Sequence, residues 1–204
     1  SPIILTPTPV IATPTPVPTA PPTPTATPKP ITAKFSYSLQ GSTTLKTLTK
    51  GTMPLTGGVN ATLTVSTGDV LADLTLNDTQ GRLTALGFIP VTATVGFVTS
   101  GPTTGKLVDD ELTTNSKVRI KVKSVKAFGA IPLAGGNSCQ TKQLSDITLT
   151  STDAFDPTGT GGTIAGTYKI SDLNGCGLLN GLVSPITAGP GNTITVKLTP
   201  KPTA

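Results

Sequence analysis

The chain is 204 residues long, with 15 Lys and Arg against 10 Asp and Glu, a formal net charge of +5 and no His. The missing His excludes Ser–His–Asp and Cys–His catalysis and removes the commonest general base and metal ligand. Charged residues make up 12%, about half the usual share of a soluble domain. No apolar run reaches the roughly 18 residues needed for a membrane span.

Residues 1–30 are low in complexity, and eleven of the thirty are Pro. Such a segment forms neither helix nor central strand, and it buries too little to fold alone. A stiff polyproline-II spacer is expected, at most roughly 90 Å long at about 3.1 Å per residue. Its Thr-Pro repeats resemble O-glycosylated stalks. The chain begins at Ser1, as a mature form that has lost a leader would.

The first twelve residues carry a second pattern. In extended form Ile3, Leu5, Pro7, Pro9 and Ile11 line one apolar face. Pro7 and Pro9 remove N–H groups from one edge only, whereas Ile4, Thr6, Thr8 and Val10 keep theirs on the other. The segment can therefore pair along one side, as an added edge strand does. Ile3, Ile4, Leu5, Val10 and Ile11 are the candidate self-assembly residues. The plainer alternative is a linker that carries a few apolar residues.

A β domain is expected over 31–204. Phe35, Tyr37 and Leu39 alternate with Lys34, Ser36 and Ser38. Gly57-Gly58 reads as a turn, followed by Val59, Ala61, Leu63 and Val65. Gly68-Asp69 turns the chain into Val70, Ala72, Leu74 and Leu76, and Arg82 to Leu86 leads into the clearest strand, GFIPVTATVGFV over 87–98. There Ile89, Val91, Ala93, Val95 and Phe97 fall on one side and Thr92 and Thr94 on the other, the period of two of a strand with one buried face. A turn follows at Gly101-Pro102.

Ser116 to Phe128 alternates again, with Val118, Ile120 and Val122 opposing charged neighbours. Later strands hold Ile147 and Leu149, then Ile164, Tyr168 and Ile170, then Ile194, Val196 and Leu198. A single helical turn fits between Cys176 and Val183. Eight to ten short strands without helical periodicity predict an all-β antiparallel sandwich or Greek-key barrel.

Cys139 and Cys176 are the only thiols. They read as a disulfide, because the composition looks extracellular; two separate buried thiols are the alternative. Three stretches carry a resemblance: GFIPVTATVGFV, the NSCQT around Cys139, and the closing GPGNTITVKLTP. Over roughly 34–200 the chain resembles a group of conserved secreted proteins of Gram-positive actinobacteria that has no assigned chemistry. The resemblance implies secretion and a paired Cys139/Cys176, and no active site.

Lys117, Arg119, Lys121 and Lys123 put four cations on one strand face. They could hold a polyanion such as a cell-wall polymer, or simply be a solvated face that discourages edge pairing. With almost no aromatics nearby for base stacking, nucleic acid is not an expected partner. Asp109, Asp110 and Glu111, and separately Asp153 and Asp156, offer oxygen ligands, but no calcium-loop spacing accompanies them. A glycosidase pair would have to come from ten acids of which Glu111 is the only Glu, and Glu111 sits in a polar run. No catalytic residue, metal site or cofactor is expected. The expectation is a secreted, extracellular or cell-surface structural subunit whose partners are other copies of itself. A monomeric, stalk-displayed module for cell-wall or carbohydrate surfaces is the alternative.

Overall fold

The computed structural model describes residues 2–22 and 29–202. Of the arm expected over 1–30, residue 1 and residues 23–28 lie outside the described residues. So does 203–204 of the chain end. Residues 2–22 carry neither strand nor helix.

The domain is built from β1 (Thr32–Lys46), β2 (Thr49–Thr64), β3 (Asp69–Leu76), β4 (Thr79–Ala85), β5 (Ile89–Thr99), β6 (Thr103–Val108) and β7 (Glu111–Ala127). After them come β8 (Ile131–Ala134), β9 (Gln140–Thr141), β10 (Ser145–Ser151), β11 (Gly162–Ile170), β12 (Leu173–Asn174), α1 (Asn180–Thr187) and β13 (Gly189–Pro200). β3 and β4 pair in turn along one edge of β2, and β5 and β6 in turn along one edge of β7. Each couple acts as one long strand broken by a bend. Counted so, eight antiparallel strands follow chain order, and β13 returns to pair with β1. The all-β antiparallel expectation holds. The ring is a meander, and no Greek-key crossover appears among the described strands. Alternation alone could not separate these arrangements, because a barrel and a sandwich bury the same every-second residue.

Inward and outward positions follow the sequence. On β13, Ile194, Val196 and Leu198 are buried while Thr195, Lys197 and Thr199 face out. Apolar side chains thus fill the lumen and Thr and Lys coat the wall, the reverse of a transmembrane barrel. On β7 the buried positions run Leu112, Thr114, Ser116, Val118, Ile120 and Val122, then shift parity to half-buried Val125 and buried Ala127. The cause is a bulge: Thr94 opposes Ser124 and Val95 opposes Val122, which leaves Lys123 as the extra residue. One added residue changes the parity of every side chain beyond it.

Two local expectations are corrected. Gly57-Gly58 is not a turn but lies within β2, opposite Leu76 and Thr75. Glycine is needed at Gly57 because a Cβ there would lie 1.9 Å from the Thr75 carbonyl oxygen. The helical turn is later and longer than expected, running to Thr187 with Pro185 inside it.

Both ends of the barrel are plugged. At the end where the arm enters β1, Phe155 folds inward and its N–H donates to Asp110 O at 2.7 Å. The Phe155 ring meets Tyr37 edge-on at 5.9 Å. At the far end β12 and α1 form a cap, with Leu173 and Val183 buried beneath it. Cys139 and Cys176, 37 residues apart, are bonded and buried there. The disulfide fastens the cap to the loop preceding β9, and such a bond points to a compartment outside the cytoplasm.

Candidate functional site

Within the lumen are two small apolar cavities. One of about 80 Å³ lies towards the arm end between Tyr37, Ala72 and Phe155; one of about 70 Å³ lies towards the far end between Met53, Leu83 and Ile170. Most hydroxyls beside them are paired, although the buried Thr49 Oγ1 at the second cavity has no partner among the described residues. Thr43 and Tyr168 share a 2.6 Å hydrogen bond, and Thr103 and Ser116 share one of 2.7 Å. The Tyr168 phenol is pushed up by burial, and the Thr43 hydrogen bond only partly offsets this. No group aimed into either space is set up for chemistry.

The arm residues are placed plainly. Ile3, Ile4, Leu5, Val10 and Ile11 are between 84% and 94% exposed, so none of them packs on its own barrel. The barrel offers few edges to a pairing strand, because ring closure satisfies most of them. The outer edge of β8 is one that remains, since β8 pairs with β7 alone.

The four cations of β7 do alternate with buried Val118, Ile120 and Val122, yet they do not stand as one free row. Arg119 Nη1 donates to Thr141 O at 2.5 Å and Lys142 O at 3.3 Å, which ties down the segment after β9. Lys123 is paired with Asp78 across the β7 bulge. Lys121 lies opposite Gln140, and Lys117 opposite Asp146. Two of the four cations are therefore partnered within the fold.

The acidic residues serve as turn groups. Asp109 and Asp110 are the central residues of the β6–β7 hairpin, with φ of 51° and 62°. Asp156 accepts from the backbone N–H groups of Gly159 at 3.0 Å, Thr158 at 3.2 Å and Thr160 at 3.4 Å. These bonds hold its carboxyl below the usual carboxylate range, and the Gly159 bond contributes most. Nearby, Tyr37 Oη donates to Pro157 O at 2.8 Å. Burial, then the Asp156 charge, pushes the Tyr37 phenol up to about 12. Among the described residues no three His, Cys, Asp or Glu gather where they could hold a metal ion.

One feature escaped the sequence. The far end of the barrel carries exposed apolar side chains on adjoining turns: Leu48, Leu86, Phe88, Phe128 and Ile131, with Leu178, Leu179 and Leu182 on the cap. The turns touch, since Leu86 N–H donates to Leu48 O at 2.8 Å and Phe128 N–H to Pro90 O at 2.9 Å. The cap joins them where Thr47 Oγ1 donates to Ile186 O at 3.2 Å.

Leu86 and Phe128 have φ of 52° and 53°, each followed by a glycine with positive φ. This is the pattern of a type I′ turn, whose first central position normally takes Asn, Asp or Gly. A large L-residue there costs roughly 1–2 kcal/mol. Exposure means that neither side chain regains this by burial. The signal was readable in the dipeptides Leu86-Gly87 and Phe128-Gly129, where Asn-Gly would be usual.

No family model, no curated protein and no solved structure matches this chain. Among the described residues no helix is long and apolar enough to cross a membrane.

Proposed function

We propose that this protein is a secreted structural subunit that self-associates through its N-terminal arm at the cell surface or in the extracellular matrix. The observation that carries this reading is the arm's unsatisfied apolar face. Ile3, Ile4, Leu5, Val10 and Ile11 remain solvent-exposed on a segment that its own barrel does not cover. An apolar face of this kind gains by burial elsewhere, roughly 1.5–3 kcal/mol for each Ile or Leu. Proline has already restricted the chain, so ordering it costs less than for an ordinary tail. A contact from the arm of one copy to the barrel of the next is heterologous and propagates.

The disulfide and the low charge support a place outside the cytoplasm. The chain acts without acid–base catalysis of the usual hydrolase kinds, for it has no His and one Glu. Closure of the ring favours a second reading, a monomeric barrel displayed on a Pro/Thr stalk that binds cell-wall polymer or carbohydrate. In that case Lys117 and Lys121 are the cations left to meet a polyanion.

Removing 1–12 separates the two. Light scattering and electron microscopy of the native protein should show regular assemblies that vanish on truncation, while the circular dichroism of the barrel stays the same. Replacing Ile3 and Leu5 with Asp should do likewise without shortening the spacer. Identical assemblies from the truncated chain would reduce the arm to a linker. Monodisperse single particles from both chains would leave the stalked module.

A further inference from the structure

We propose that the far end of the barrel docks on an anionic lipid surface, with the turn tips Leu48, Leu86, Phe88 and Phe128 entering the bilayer interface. The proposal is independent of the arm. It starts from two residues that stability does not explain. Leu86 and Phe128 hold a backbone conformation that disfavours them, and they hold it facing solvent. An unfavourable conformation kept without a packing gain points to use. Together with Leu48 and Phe88 they make a set of apolar points on turns linked by backbone hydrogen bonds.

Charge names the partner. The turns at 46–50, 85–90 and 126–132 and the cap segment 176–189 contain no carboxylate. Behind the tips stand Lys46, Lys50, Arg82 and Lys126, all exposed and none in an ion pair among the described residues. Arg82 and Lys126 lie level with one another, both opposite Thr92 of β5. Asp146, at the start of β10, and Asp172, just before β12, are the carboxylates nearest this end and lie outside these turns. Asp69, Asp109, Asp110, Glu111, Asp153 and Asp156 sit on the turns and strand ends of the arm end instead, six of the ten acids. Lys34, Lys106, Lys197 and Lys201 share the arm end with those acids, whereas at the far end Lys46, Lys50, Arg82 and Lys126 stand beside apolar tips on turns that carry no carboxylate.

The spacing fits a bilayer interface. Lys46 and Lys50 are each two residues from Leu48, and Lys126 is two from Phe128. A strand rise of about 3.3 Å per residue puts the backbone of these lysines at most roughly 7 Å behind the tips, since Leu48 and Phe128 lie in turns. Interfacial segments bury their apolar side by about 5–10 Å, with basic residues at the level of lipid phosphates. Far end to far end would bring lysine against lysine. Far end to arm end would pair opposite charges between two copies, an arrangement that the test below separates from a lipid surface.

The test uses the full, oxidised chain and vesicles of phosphatidylcholine with or without phosphatidylglycerol, separated by flotation. The wild type should float with phosphatidylglycerol vesicles, less so as salt rises, and weakly with phosphatidylcholine alone. Leu86→Asn with Phe128→Asn should reduce that binding by about tenfold or more, while the thermal midpoint stays level or rises, because Asn suits both turns. Phe88→Ser, at a position without positive φ, should weaken binding independently. Lys46→Ser with Lys50→Ser and Lys126→Ser should abolish the preference for the anionic vesicles. Failure of the wild type to float at low salt overturns the proposal, as does full binding by the double Asn variant. So does an oligomer of the wild type that the double variant dissolves while neither protein binds vesicles.

Discussion

Removing the bond between Cys139 and Cys176 should destabilise the far end before anything else. The bond spans 37 residues. A loop of that length restricts the unfolded chain by about 4 kcal/mol in the chain-entropy account. What else holds the cap is modest. β9 and β12 share two register pairs, Leu173 with Thr141 and Asn174 with Gln140. Cys176 N–H donates to Asn180 Oδ1 at 3.2 Å, and Val122 N–H donates to Cys139 O at 2.9 Å. Leu173 and Val183 are the apolar anchors. A chain with Cys139→Ala and Cys176→Ala should therefore lose about 4 kcal/mol in urea unfolding. Its amide exchange should quicken first at Leu173, Val183 and Ala188, ahead of β1 and β2. A loss below about 1 kcal/mol, or exchange that quickens first in the β1–β2 hairpin, would refute the view that the bond fastens the cap.

Asn192 is fully buried; its Oδ1 accepts from Lys46 N–H at 3.0 Å, and its Nδ2 donates to Gly189 O at 3.1 Å and Tyr168 O at 3.4 Å. Asn192→Ala should leave buried backbone groups unpaired and cost about 1–3 kcal/mol in urea unfolding; an unchanged midpoint would rule this out. Alkaline stability should follow the buried phenols. The Tyr37 phenol is raised to about 12 from an ordinary value of 10, so above pH 10 the unfolded chain ionises first and binds fewer protons than the folded one. Stability from this source is complete below pH 10 and falls as pH climbs towards 12. Tyr37→Phe should flatten that fall in pH-dependent denaturation; a slope unchanged by the substitution would show that the phenol is not responsible.

Much of the wall was legible because its strands are half-buried. The alternation of 87–98 and of Val118, Ile120 and Val122 lands on the lumen side as the period requires. Three things were not legible. Gly57-Gly58 carries the chemistry of a turn, and only the closeness of β3 shows why a strand needs it. The bulge at Lys123 leaves no mark in the sequence, since Ser124 and Val125 suit either face. Ring closure depends on β13 meeting β1, a contact that no local pattern reports. The site readings divide in the same way. The cation row was visible residue by residue, but its partners come from distant parts of the chain, Asp78 from the β3–β4 bend and Thr141 from β9. The apolar tips were visible only as isolated Leu and Phe, until the fold gathered their turns at one end.

The strand that begins the ring and the strand that completes it lie at opposite extremes of the domain, Tyr37 facing Pro200 and Thr44 facing Thr193. During synthesis or export β1 and β2 can zip at once, as a local hairpin, but the other side of β1 stays bare until the last segment arrives. A long unpaired edge is a template for any passing strand, and a contact so distant along the chain forms slowly. The interval between the first hairpin and the arrival of β13 is therefore when this chain is most open to misassembly. A break anywhere before β13 would strip cover from β1 and β11 together, since β13 is the strand between them.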